Sequence, residues 1–64
     1  MPIIRVEMFK GRSREQKRAL VRELTEAFVR AAGGQAEAVT VVLEDVAKED
    51  WAVGGALMAD KYPD

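Results

Sequence analysis

Pro2-Ile3-Ile4-Arg5-Val6-Glu7-Met8-Phe9-Lys10-Gly11-Arg12-Ser13-Arg14-Glu15-Gln16-Lys17-Arg18-Ala19-Leu20 holds a strand, a turn and a helix start in immediate succession. Residues 3 to 9 alternate with the period of two that a strand requires. Ile4, Val6 and Met8 fall on one fully apolar face; Ile3, Arg5, Glu7 and Phe9 fall on the other, apolar at its ends and charged in its middle. Such a mixed face suits a surface partly covered by another subunit or lining a polar site. Lys10-Gly11-Arg12 is the turn. Ser13-Arg14-Glu15-Gln16 then fits a capping box, in which the Ser13 hydroxyl accepts from the Gln16 backbone N–H and the Gln16 side chain accepts from the Ser13 N–H.

Working outward, Leu20, Leu24, Ala27, Phe28 and Ala31 recur at helical spacing, with Lys17, Arg18, Arg22, Glu23, Glu26 and Arg30 around the rest of the surface. Gly33-Gly34 ends the helix, since glycine readily adopts the left-handed conformation of a helix terminus. Val39-Thr40-Val41-Val42-Leu43 is β-branched and nearly continuous, which predicts a strand buried on both faces and parallel to the first. The result is a β-α-β unit, whose crossover is expected to be right-handed. The tail from Ala47 to Asp64 reads as a turn and short hairpin with a frayed end. No repeat, linker or low-complexity segment interrupts the chain, so residues 1–64 read as a single domain.

A chain of 64 residues buries only about 60% of the surface its unfolded form exposes, so its own core is marginal. Disulfides, metals and oligomerisation are the usual remedies. With no Cys and no His, the first is excluded and a transition-metal site is disfavoured, leaving self-association. A 48% hydrophobic content with few aromatics fits an aliphatic interior shared between subunits. Ten basic and eleven acidic residues give a net charge of -1, which offers no basic excess for nucleic acid or an anionic membrane. The start Met-Pro-Ile-Ile-Arg has no long apolar stretch behind it, and no run approaches a membrane span, so the expected location is cytoplasmic.

The familiar catalytic sets are mostly missing: no His base, no Cys nucleophile, no glycine-rich phosphate loop and no paired metal ligands. A base working near neutral pH must then be a perturbed carboxylate, a lysine or the N-terminal amine, and position singles out only the last. Removal of Met1 would leave Pro2 as an N-terminal secondary amine. Ordinary α-amino groups titrate at roughly 7.7 to 8.0, and burial or nearby cations bring an amine down towards the pH where proton transfer is efficient. The plainer reading of Pro2 is the first residue of an edge strand. Arg12 can hold a carboxylate bidentately, or simply be a solvated turn residue. Trp51 is a pocket wall or an interface anchor. Glu7, Glu44 and Asp45 read as solvated or salt-bridged rather than as a paired-carboxylate site.

The opening stretch, together with Val41-Val42-Leu43-Glu44-Asp45 and Trp51-Ala52-Val53-Gly54-Gly55, resembles the 4-oxalocrotonate tautomerase family over essentially the whole chain. The resemblance implies an α/β fold in which β-α-β subunits with a short C-terminal hairpin pair into a four-stranded sheet with two helices, three pairs making a hexamer. It implies a keto-enol tautomerase for enolisable 2-oxo acids of the 2-hydroxymuconate or phenylenolpyruvate type, with Pro2 as general base and then general acid. Arg12, supplied by a neighbouring subunit, would bind the substrate carboxylate. Trp51, Phe9 and Val53 would wall a water-poor pocket, with no cofactor and no metal.

The best-known members carry a second arginine at the start of the second strand, where this chain has Thr40. A neutral hydroxyl cannot replace a bidentate cation, and the lost charged hydrogen bond is worth on the order of 1.5 to 3 kcal/mol. Efficient turnover of the dicarboxylate 2-hydroxymuconate is therefore not implied, although Thr40 keeps a substrate-binding position. Val53 and Ala38 stand where related dehalogenases and decarboxylases carry an auxiliary acid, which makes a promiscuous hydratase or dehalogenase the weaker reading. A non-catalytic oligomeric assembly module, with Pro2 merely starting a strand, is the alternative from outside enzymology.

Overall fold

The computed structural model describes residues 1–63. Strand β1 (Ile3–Phe9) leads through the Gly11 turn into helix α1 (Arg14–Ala32), and the chain returns as strand β2 (Thr40–Val46). Single 3-10 turns at Ala36–Ala38 and Lys48–Asp50 flank β2, and a minimal hairpin, β3 (Ala52–Val53) with β4 (Ala56–Leu57), runs into a one-turn helix α2 (Met58–Lys61). β1 and β2 are parallel, in the register Ile3 with Thr40 through Phe9 with Val46. The β-α-β unit expected from the periodicity is present.

Local chemistry accounts for each boundary. Ser13 caps α1 with both halves of the capping box formed: its hydroxyl accepts from the Gln16 N–H at 3.1 Å, and the Gln16 side chain accepts from the Ser13 N–H at 2.8 Å. At the far end Gly33, with φ of 87°, donates its N–H to the Val29 carbonyl. The loop of the hairpin is Gly54-Gly55, at φ of 61° and 85°. Two successive left-handed residues make the two-residue turn whose twist matches a β-hairpin.

The sheet has two unlike faces. Ile4, Val6 and Met8 of β1 share a face with Val41, Leu43 and Asp45 of β2, and α1 lies over it. There Lys17 of α1 reaches Asp45 at 2.5 Å, so a residue assigned to the solvated side of the helix instead ties helix to sheet. Ala31, counted in the apolar stripe, is exposed in the last turn of α1. On the other face Ile3, Arg5 and Glu7 run beside Thr40, Val42 and Glu44, and of these six only Val42 is half-buried, the rest being exposed.

Three expectations are corrected. β2 starts at Thr40 and runs to Val46, one residue later and three further than the apolar run suggested, because the register with β1 carries Glu44 and Asp45 into the ladder. It is not buried on both faces, since one helix on a two-stranded sheet covers one face only. The tail to Pro63 is not frayed: Tyr62 donates its N–H to the Met58 carbonyl at 2.8 Å and accepts from Lys48 Nζ at 3.0 Å. Asp64, included in the expected frayed end, lies outside the described residues.

The core is thin. Only Met8 and Met58 are buried among the described residues. The radius of gyration is 14.7 Å, against about 11 Å for a compact chain of this length. The accessible surface is 5001 Å², against about 4,100 Å² for a compact monomer of this mass. Ile3, Val53, Leu57 and Tyr62 stand exposed.

Candidate active site

Five of the six sequence-predicted site residues fall into two groups at opposite ends of the β1–β2 sheet, and the sixth, Val53, lies on the β3–β4 hairpin. Pro2 is half-buried just ahead of β1, and its carbonyl accepts from the Thr40 N–H at 3.0 Å. This bond fixes Pro2 through its carbonyl and leaves its nitrogen outside the sheet's hydrogen bonding, as proline's missing N–H requires. Thr40 opens β2 directly opposite Ile3 and is exposed. Pro2 and Thr40 therefore share one end of the ladder.

Three of the other four gather where β1 ends, and the fourth, Val53, lies on the hairpin. Phe9, the last residue of β1, meets Trp51 with ring centroids 4.5 Å apart and planes tilted by 57°, a favourable arrangement for two quadrupolar rings. The Trp51 backbone is held at both its polar groups, its N–H donating to the Lys48 carbonyl and its carbonyl accepting from Met58 at 2.7 Å. Arg12 is exposed, but one guanidinium nitrogen donates to the Phe9 carbonyl at 2.9 Å. That contact parks the fork beside the aromatic pair and leaves most of its five donors available for a carboxylate. Val53 lies on the hairpin, 58% exposed, and presents an apolar side chain that its own chain does not cover.

Strand geometry keeps the two groups apart. From Ile3 to Phe9 the chain climbs about 20 Å at roughly 3.3 Å per residue. No small substrate reaches both ends of one subunit. The structure thus joins Pro2 with Thr40, and Phe9 with Trp51 and Arg12, but does not join the two sets within one chain.

Periodicity did not single out the residues beneath Trp51. A cavity of about 310 Å³ is lined by Glu7, Val46, Asp50, Trp51 and Ala52. Glu7 shares its strand face with Phe9 and Asp50 precedes Trp51, so a search for polar neighbours of the aromatic pair would have found both. Two carboxylates with no cation in the lining repel an anion. The cation nearest the aromatic pair is Arg12, tethered to the Phe9 carbonyl. A second cavity, of about 250 Å³, lies between the Lys48–Asp50 turn and α2 and is lined in part by Lys10 and Lys48. Among the described residues no group of three acidic, His or Cys side chains could hold a metal ion, and no helix is long and apolar enough to cross a membrane.

Comparison with known proteins adds to this geometry. The family described as Tautomerase enzyme matches residues 2–61. A probable tautomerase of Staphylococcus epidermidis is 44% identical over 61 residues, covering 95% of this chain and 100% of that protein. A 2-hydroxymuconate tautomerase of Comamonas testosteroni is 42% identical over 55 residues, covering 86% of this chain and 87% of that one. Among solved structures, a heterohexamer 4-oxalocrotonate tautomerase from Chloroflexus aurantiacus superposes with a TM-score of 0.89 at 35% identity, covering 97% of this chain and 100% of that one.

Proposed function

The chain belongs to the tautomerase family of isomerases, and from that premise we propose that it interconverts enol and keto forms of a 2-oxo acid, with Pro2 as its proton carrier. Once Met1 is removed, the Pro2 amine takes the proton from the enol hydroxyl. The oxygen lone pair then re-forms the carbonyl, the carbon–carbon double bond shifts its electrons to carbon, and that carbon takes the proton back from the ammonium. The amine emerges unchanged, so the exchange is balanced without a further reactant.

Arg12 of a neighbouring copy holds the carboxylate, and the Phe9–Trp51 pair with Val53 walls the reacting atoms from water. Thr40, beside Pro2, offers a neutral hydrogen bond where a cation would select a second charge. A substrate with one carboxylate, of the phenylenolpyruvate type, is thereby preferred over the dicarboxylate 2-hydroxymuconate. Pairs of chains form a four-stranded sheet with two helices, and three pairs form a hexamer. The thin core and the surplus of exposed surface support association, as does the heterohexameric relative.

The observation that carries this reading is the placement of Pro2: anchored through its carbonyl to Thr40, it has a nitrogen free of any structural task. The test is ultraviolet-monitored ketonisation of phenylenolpyruvate and 2-hydroxymuconate by mass-verified, Met1-free protein and by Pro2→Ala. The variant should lose about 10²- to 10⁴-fold in rate, the usual share of general acid–base catalysis. The wild-type rate should rise with pH through the titration of the amine, because only the unprotonated form accepts the enol proton. Equal rates in the two proteins would discard the Pro2 mechanism and favour an assembly module without catalysis.

A further inference from the structure

The cavity of about 310 Å³ beneath Trp51 has no part in the mechanism above, yet it adjoins the aromatic pair. Phe9 links the two sides of that pair: its carbonyl tethers Arg12, and its ring meets Trp51. Arg12 does not line the cavity, whereas Trp51 does. A ligand held by its carboxylate at Arg12 and lying along the indole therefore sends its far end towards this recess. We infer that the cavity seats the far end of the bound 2-oxo acid, and that Glu7 and Asp50 are specificity-determining residues that keep a second negative charge out of it. The inference rests on the reading above in taking Arg12 as the holder of the carboxylate and Trp51 as a wall.

The charge around the cavity is mostly of one sign. Glu7 and Asp50 are exposed, and among the described residues neither carboxylate makes an ion pair or side-chain hydrogen bond. Glu44 stands opposite Glu7 on the same sheet face and adds a third negative group. Arg5, two residues before Glu7 on that face, is the cation of β1, but it lies outside the lining. Lys10 and Lys48 line the other cavity. A negative charge entering beside Glu7 and Asp50 meets repulsion that the low-dielectric wall of Trp51, Val46 and Ala52 screens less than water does.

This contribution is separate from that of Thr40. Thr40 withholds an attraction, whereas Glu7 and Asp50 impose a repulsion, and specificity is a difference of affinities to which both contribute. The volume is at the lower end of the about 300 to 1,000 Å³ of ligand pockets, which suits a short chain or a single ring. A hydroxyl or ammonium at the far end meets acceptors there; a carboxylate does not. The substrate class that fits is a 2-oxo acid whose far end is neutral or positively charged.

Trp51 is the only tryptophan of the chain, so its emission reports occupancy of the cavity it walls. Met1-free protein is titrated with hexanoate, adipate and 6-aminohexanoate, probes of one chain length whose far ends are neutral, negative and positive. Any apolar recess makes a second carboxylate costly to desolvate, so the deciding comparison is between proteins. Relative to the wild type, Glu7→Gln/Asp50→Asn should bind adipate about three- to tenfold more tightly and 6-aminohexanoate about three- to tenfold more weakly. Hexanoate should move by less than about twofold. The charge-conserving Glu7→Asp/Asp50→Glu should keep the wild-type order. In turnover, the amide variant should raise kcat/KM for 2-hydroxymuconate relative to phenylenolpyruvate by a similar factor.

An adipate affinity unchanged by the amides would overturn the filter, as would a shift of all three probes in one direction, which marks a structural effect. Adipate binding more tightly than hexanoate to the wild type would overturn it too, and would assign the second carboxylate to Arg5. No change in Trp51 emission with any probe would overturn the cavity as the seat. The titrations need no turnover and are repeated in Pro2→Ala. Charge-ordered binding alongside equal rates in wild type and Pro2→Ala would remove the tautomerase mechanism and leave the filter standing.

Discussion

The two ends of the β1–β2 ladder differ in kind. At the start, Pro2 and Thr40 are joined by one backbone hydrogen bond and carry no cation and no aromatic ring. At the finish, Phe9, Trp51 and Arg12 supply a ring pair and a tethered guanidinium. Under the proposed mechanism the first end carries the proton and the second holds the substrate. If that mechanism holds, the functional unit is larger than the folded chain, and the turn out of β1 serves a neighbour's chemistry.

The sharpest way to break this contrast is to disable each end separately and then mix the two. Pro2→Ala carries the largest expected loss, and Arg12→Ala the next. Removing a charged hydrogen bond worth on the order of 1.5 to 3 kcal/mol should lower kcat/KM by about 10- to 150-fold. Most of that loss should fall in KM, because Arg12 holds the carboxylate throughout the reaction. Equal mixtures of the two dead variants, unfolded and refolded together, should regain about a quarter of the wild-type sites if pairs form at random. Only a mixed pair unites an intact Pro2 with an intact Arg12. No recovery in a mixture shown by mass to contain mixed pairs would place both residues in separate functions.

A smaller effect sharpens the recognition end. Trp51→Ala removes the ring that Phe9 meets, together with a half-buried side chain. Beyond lost area, an aromatic pair is worth about 0.5 to 1.5 kcal/mol. KM should rise about two- to tenfold, and the pH dependence of kcat should move to higher pH, because a better solvated Pro2 amine holds its proton more tightly. An unchanged pH profile would show that Trp51 does not shield the amine. The smallest expected effect belongs to Lys17→Ala, which breaks the bond to Asp45 between α1 and β2. Both partners are about one-third exposed, so screening limits the loss to about 0.2 to 1 kcal/mol in urea unfolding, with no change in turnover.

Most of this architecture was legible because its causes are local. Alternation from Ile3 to Phe9, the Ser13–Gln16 capping box and the glycine pairs each act within a few residues, and each appears as written in the sequence. The length of β2 was not legible, because Glu44 and Asp45 look like a strand's end until their register with Glu7 and Met8 is known. Nor was α2, whose single turn is closed by Met58 and Tyr62 and held by Lys48 from fourteen residues away. The site residues were nameable from resemblance, but neither composition nor spacing shows that they separate into two ends. That separation depends on how far a strand extends, a quantity that appears only once the strand's bounds and partners are fixed. The acidity that Glu7 and Asp50 give the cavity under Trp51 was hidden for the same reason.

The hydrogen bond from Thr40 to the Pro2 carbonyl has a practical corollary for anyone handling this protein. Because the anchor is the carbonyl, a peptide fused ahead of Pro2 leaves the ladder intact while converting the amine into an amide. If Pro2 is the proton carrier proposed above, an amino-terminally tagged preparation would fold, give a sharp melting curve and still be inert, so a screen run on tagged material would report a false negative.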